Sequence, residues 1–147
     1  EATHNINQYQ RERYFKKILK ALPANATVGI WGLSFKPRTD DMREAPSLDL
    51  IPLLLEAGHT VRVFDPIAMD NAKGMVKGEV TWSDNMMDAI TDADATILLT
   101  EWDEFRGINL KKLKEVMKGN DLFDGRNIYD PEEVETAGLV YHGIGIV

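Results

Sequence analysis

There is no cysteine among these 147 residues. That absence excludes disulfides, thiolate metal sites and cysteine nucleophiles together. Histidine is scarce as well, and His4, His59 and His142 lie too far apart to form a zinc motif by spacing. Basic residues are in the minority: 17 Lys and Arg face 24 Asp and Glu, for a net charge of −7. Bulk attraction to nucleic acid or to anionic membranes is therefore not expected, although the balance is compatible with a local cationic pocket. No apolar run approaches the roughly 20 residues that a membrane span needs. The opening stretch EATHNINQYQRERYF is too polar for a secretory leader. A cytoplasmic protein is the expectation. The chain opens on Glu rather than Met, which points to a fragment or a processed chain.

What is present has the balance of a folded globular protein, with 44% apolar and 28% charged residues. The length suits one ordinary domain. Residues 5–20 carry Ile6, Tyr9, Tyr14 and Ile18 near helical spacing, with Lys16, Lys17 and Lys20 toward the end, and predict a helix closed by Pro23 and Asn25. TVGIWGL (27–33) is a strand of the buried kind. After the long polar connection SFKPRTDDMREAPS comes a helix starting near Ser47, with Leu48, Ile51 and Leu55 as its buried stripe and Gly58 as its stop. Pro52 within it predicts a late start or a kink. HTVRVFDP (59–66) predicts a strand ending in a proline turn, MDNAKGMV a short helix and EVTW (79–82) a short strand. Ser83 is the expected cap of a helix bearing Met86, Met87 and Ile90. ATILLT (95–100) is the most hydrophobic strand, and Asn109 caps a helix with Leu110, Leu113, Val116 and Met117 on one face, stopped by Gly119. NIYD and LVYHGIG predict two last strands. Strands alternating with helices predict a Rossmann-like three-layer α/β/α sandwich whose sheet is mostly parallel and five- or six-stranded. Such sheets bind ligands at the carboxyl ends of their strands, where the strand order switches.

Four segments follow strands and carry chemistry. In Gly29-Ile-Trp-Gly32-Leu-Ser-Phe-Lys36, Gly32 permits a tight turn and Lys36 is placed to meet a phosphate. The spacing is G-x-x-G with no third glycine opening a helix, so it is not the dinucleotide fingerprint, and a plain strand-to-loop turn is the alternative. Thr39-Asp40-Asp41-Met42-Arg43-Glu44 is either a solvated loop with a helix cap or a loop whose Arg43 enters a ligand cleft while the acids orient it. A phospho-acceptor receiver domain would need acids directly after the first strand and a lysine after the last core strand; neither is found. In Thr100-Glu101-Trp102-Asp103-Glu104-Phe105, the aromatic pair is a loop anchor or a stacking platform. In Phe123-Asp124-Gly125-Arg126-Asn127, Asp-Gly marks a turn and Arg126 is a surface charge or a phosphate-binding fork. Two arginines and a lysine on such loops, in an acidic protein, are what an anionic-ligand pocket needs.

The segments G-L-S-F-K-P-R-T-D-D-M-R-E-A-P-S (32–47), V-F-D-P (63–66), T-E-W-D-E-F (100–105) and D-G-R-N (124–127) stand in a telling order and spacing. Together they closely resemble the C-terminal domain of the UDP-glucose/GDP-mannose dehydrogenase family, and the resemblance covers essentially the whole chain. It implies that residues 1–22 are a helix from the end of the family's central dimerisation segment, packing elsewhere in the full enzyme. Residues 23–147 are then the nucleotide-sugar (UDP) binding domain. The implied activity is oxidation of the C6 hydroxyl of a nucleotide sugar to a uronic acid, with reduction of two NAD. The implied partners are a UDP-sugar substrate, an N-terminal NAD-binding domain, the central domain and a second copy in a homodimer. By resemblance Phe35, Lys36 and Arg126 contact the UDP-sugar, and Arg43 reaches NAD across the interdomain cleft. The family's catalytic cysteine, glycine-rich NAD fingerprint and assisting lysine, asparagine and aspartate lie upstream, so no catalytic residue is assigned here, no metal ligand is assigned either, and the chain alone is expected to be inactive. The motifs look most like the UDP-glucose branch. The GDP-mannose and UDP-N-acetylmannosamine branches, and a free-standing nucleotide-binding module without redox chemistry, are the alternatives.

Overall fold

A computed structural model describes residues 2–143, with side chains from residue 9 onward; the side chains of His4 and Ile6 and the end of LVYHGIG fall outside what is described. Six strands form one sheet: β1 (Thr27–Trp31), β2 (Thr60–Phe64), β3 (Thr81–Trp82), β4 (Ala95–Leu98), β5 (Asp121–Asp124) and β6 (Val140–Gly143). They run in the order β3-β2-β1-β4-β5-β6, and every pair is parallel. In β1, Val28–Trp31 lie opposite Val61–Phe64 of β2 on one side and Ala95–Leu98 of β4 on the other. The order therefore reverses between β1 and β4, and the crevice at their carboxyl ends is where this fold binds ligands.

The sheet is parallel because the chain supplies a helix, or a helical turn, between successive strands, and because the central strands are apolar on both faces. Every residue of β4 is buried, as are four of five in β1. Alternation sends Val28, Ile30, Ile97 and Phe123 to one face, packed with α1 (Ala2–Ala21), α2 (Pro46–Glu56) and α3 (Met69–Lys73). Trp31, Leu98 and Leu122 go to the other face, packed with α4 (Met86–Ile90), α5 (Asp103–Arg106), α6 (Leu110–Val116) and α7 (Pro131–Thr136). A Cβ on Gly29 would come within 2.3 Å of the Ala89 carbonyl oxygen, so the bare backbone there is what lets α4 lie against β1.

Within this chain the second half of the leading helix lies on the sheet: Tyr14, Phe15 and Ile18, with Leu22 just after the helix, are buried in the core, and the Tyr14 hydroxyl donates to the His142 carbonyl at 3.2 Å. Several sequence expectations are corrected. Helix α2 does not start late. It begins at Pro46, where a missing N–H leaves nothing unpaired, and carries Pro52 in its interior. Its buried face centres on Leu50, Ile51 and Leu54, with Leu48 and Leu55 at the margins. Asn85, not Ser83, caps α4, accepting from Asp88 N at 2.8 Å; the Ser83 amide instead continues the β-ladder to the Val63 carbonyl. Helix α6 ends at Val116, ahead of Gly119. NIYD is not a strand but the turn into α7, where Asp130 caps the helix and Pro131 opens it. The fifth strand is DLFD, whose flanking acids hide a buried Leu122–Phe123 pair.

Candidate functional site

The loops at the crevice are pinned at their roots. The chain leaves β1 through Gly32, which has φ 95°, and a Cβ there would lie 2.6 Å from the Thr100 amide nitrogen. Only glycine allows the loops after β1 and β4 to meet so closely. The Thr100 hydroxyl donates to the Ser34 carbonyl, and Ser47 Oγ donates to the Leu33 carbonyl at 2.6 Å. Asp65, fully buried after β2, accepts from the Leu33 and Ser34 amides on one oxygen, at 2.7 and 3.3 Å. Its other oxygen accepts from the Ile67 and Ala68 amides at 2.9 and 2.8 Å. A carboxylate with four amide donors fixes two loops at once.

From that root the β1–α2 connection shapes a cleft of about 420 Å³ lined by Phe35, Lys36, Thr39, Asp41, Arg43 and Glu44. Lys36 is exposed at its edge. Arg43 is 86% exposed, and its guanidinium lies along Asp41, with Nε to Oδ1 at 3.0 Å and Nη2 to Oδ2 at 2.8 Å. These bonds hold the Asp41 carboxyl down to about 2. Arg38 reaches across to Asp103 at 3.0 Å, tying the loop to α5. Arg38 and Glu44 both adopt left-handed backbone, at φ 63° and 58°, which side-chain-bearing residues hold only when surrounding contacts enforce it.

Arg126 stands apart from that cleft, on the loop after β5. It is 11% exposed, and Nε and Nη2 both donate to Glu101 Oε2, at 3.2 and 3.1 Å. Its Nη1, Glu101 Oε1 and the Trp102 Nε1–H are buried and have no partner among the described residues. Buried polar groups are normally paired, which makes this cluster of two donors and one acceptor exceptional. Buried Asp124 holds the turn: one oxygen accepts from the Arg126 amide at 3.1 Å, the other from the Tyr129 amide at 2.9 Å and the Tyr141 hydroxyl at 3.0 Å. Burial first, and then the Asp124 charge, push the Tyr141 hydroxyl upward, so it stays a neutral donor.

All four sequence-selected residues thus lie on loops at strand carboxyl ends. Phe35, Lys36 and Arg43 share one cleft, and Arg126 does not line it. Trp102 and Phe105 are loop anchors in the apolar core, Phe105 stacking on Trp31 at 5.2 Å. Sequence reasoning gave no separate role to Asp65, Glu101 or Asp124. The Asp-Pro and Asp-Gly dipeptides were the available signal for the two aspartates, since carboxylates at such turns accept nearby amides. No group of three or more His, Asp or Glu among the described residues is arranged to hold a metal ion.

The model of the UDP-glucose/GDP-mannose dehydrogenase family, UDP binding domain, matches residues 29–131, a stretch that contains all of these loops. The chain belongs to this family. It is 37% identical over 147 residues to the UDP-glucose 6-dehydrogenase TuaD of Bacillus subtilis (strain 168), covering 99% of this chain and 32% of that protein. With a UDP-glucose 6-dehydrogenase of Pseudomonas aeruginosa it shares 38% identity, over 95% of this chain and 32% of that protein. The solved UDP-glucose dehydrogenase of the hyperthermophilic archaeon Pyrobaculum islandicum matches with a TM-score of 0.77 at 29% identity, over 97% of this chain and 31% of that one. The chain spans about a third of the length of the curated relatives it matches.

Proposed function

We propose that this chain is the UDP-binding domain of an NAD-dependent UDP-glucose 6-dehydrogenase, which oxidises UDP-glucose to UDP-glucuronate in the cytoplasm. The observation that carries this is the Arg126 guanidinium at the carboxyl end of β5, clamped on one edge by Glu101, with a buried Nη1 that has no partner among the described residues. A diphosphate needs charge-assisted donors, and Lys36 on the loop after β1 and Arg126 on the loop after β5 are cations at the same carboxyl edge of the sheet, with β4 between their strands. Phe35 supplies an apolar wall beside Lys36. The similarity to proteins named as UDP-glucose 6-dehydrogenases, at 37% and 38% identity, supports UDP-glucose over the GDP-mannose and UDP-N-acetylmannosamine alternatives.

The fit to NAD is of an edge contact. The turn after β1 lacks the third glycine of a dinucleotide cradle and leads into a long loop, not directly into a helix, so the residues here do not enclose a dinucleotide. Arg43, exposed at the rim and held by Asp41, is the group that would meet NAD from across an interdomain cleft. NAD, when bound, supplies the hydride acceptor. This chain's part is to bind and orient the nucleotide end of the sugar substrate, while the covalent chemistry and the dinucleotide cradle belong to the domains that make up the rest of the protein and its dimer.

The test is an assay of NADH formation by the full-length protein that contains this chain. UDP-glucose is expected to yield two NADH per sugar and to be preferred over GDP-mannose and UDP-N-acetylmannosamine. Preference for either alternative, or no NADH from any of the three, would overturn the proposal.

A further inference from the structure

The rim arginine is held in place from outside the cleft. Arg11, on α1, is only 12% exposed, and its guanidinium spans two elements. Nη2 donates to the Glu44 carbonyl at 3.1 Å, and Nη1 pairs with Asp49 of α2 at 3.3 Å. Glu44 immediately follows Arg43 and is the residue in left-handed backbone at φ 58°. A side-chain-bearing residue keeps that conformation only where its surroundings over-determine it. The contact from Arg11 falls on the carbonyl of that residue. On the other side, Asp41 takes the Arg43 amide at 3.0 Å as well as its guanidinium, and the Asp41 carbonyl accepts from the Phe35 amide at 3.5 Å. Arg43 therefore sits between two fixed points, Asp41 before it and the Arg11-bound carbonyl after it.

We infer that Arg11 is a positioning residue for Arg43, clamping the Glu44 bend so that the rim guanidinium faces the dinucleotide. This rests on the role proposed above for Arg43. It also gives α1 a function beyond covering the sheet: the helix ties the long loop's far end to the core through Tyr14, Phe15 and Ile18.

The experiment is steady-state kinetics on the full-length protein. Arg11→Met keeps the apolar stem and removes both bonds. It is expected to raise KM for NAD about tenfold, the effect of one charge-assisted hydrogen bond, while KM for UDP-glucose stays within about twofold. Arg11→Lys, which keeps one donor arm, should recover part of the loss. Asp49→Asn, which removes the helix–helix ion pair but leaves the clamp on Glu44, should leave KM for NAD unchanged. In an Arg43→Ala background, Arg11→Met should add nothing further, because its effect passes through Arg43. An unchanged KM for NAD in Arg11→Met, an equal rise in both KM values, or full additivity with Arg43→Ala would each overturn the clamp. If Arg43→Ala itself leaves KM for NAD unchanged, the failure lies in the role given to Arg43, and the clamp falls with it; the assignment of UDP-glucose as substrate is read separately from NADH yield.

Discussion

Asp41 is half-buried at the rim, and its carboxyl is drawn well below the ordinary carboxylate range because Arg43 bonds to both of its oxygens. A carboxyl with a depressed pKa contributes its interaction above the ordinary value and loses it only as pH falls through the depressed one. The pair should therefore hold from neutral pH down to about 3, giving way near 2. Side-chain carboxyl NMR should show Asp41 titrating near 2, and Arg43→Ala should return it to the ordinary range of about 3.9. The buried acid behind Arg126 makes a different demand. Asp124 accepts from two amides and a hydroxyl, and an asparagine there would turn an N–H donor toward one of those donors. Asp124→Asn should lower stability by about 2–3 kcal/mol in urea unfolding, with an unchanged denaturant slope.

At the scale of elements, one close approach in the fold is that of α4 to β1 over Gly29. Adding a methyl would press on the Ala89 backbone carbonyl and on the Ile90 side chain, and the carbonyl can give way only if the helix moves with it. Gly29→Ala should cost about 1–3 kcal/mol by the same unfolding measurement, without changing which residues line the cleft. The elements also show what the sequence could reveal. Continuous apolar runs in β1 and β4 announced buried parallel strands, and Asn109 announced the cap of α6. DLFD escaped notice because its two aspartates break the apolar pattern, and their reason for being there is tertiary: Asp121 bonds to His142 and Asp124 to Tyr129 and Tyr141. The candidate cations were legible from local signals: Lys36 and Arg43 follow the apolar run of β1, and Arg126 follows an Asp-Gly turn. Their carboxylate partners were only half so. Asp41 lies two residues from Arg43, whereas Glu101 lies 25 residues from Arg126, and only the parallel pairing of β4 with β5 brings that pair together.

For the molecule as a whole, the division of labour follows from what the sheet carries at its carboxyl edge. Lys36 and Arg43 stand round one cleft on the β1 loop, and Arg126 stands on the β5 loop with an Nη1 that has no partner among the described residues; under the proposed function, an elongated anion would reach both. The acidic remainder of the surface makes such a ligand's binding local and not a matter of bulk charge. No helix among the described residues is long and apolar enough to cross a membrane. The most direct test is calorimetric titration of UDP-glucose into the full-length protein and its Arg126→Ala variant, with thermal melting to confirm that both are folded. The variant is expected to bind about 1.5–3 kcal/mol more weakly, the loss of a charge-assisted contact. Equal affinity in two equally folded proteins would contradict the assignment of Arg126 to the nucleotide sugar, leaving it a buried charge paired with Glu101 and nothing more.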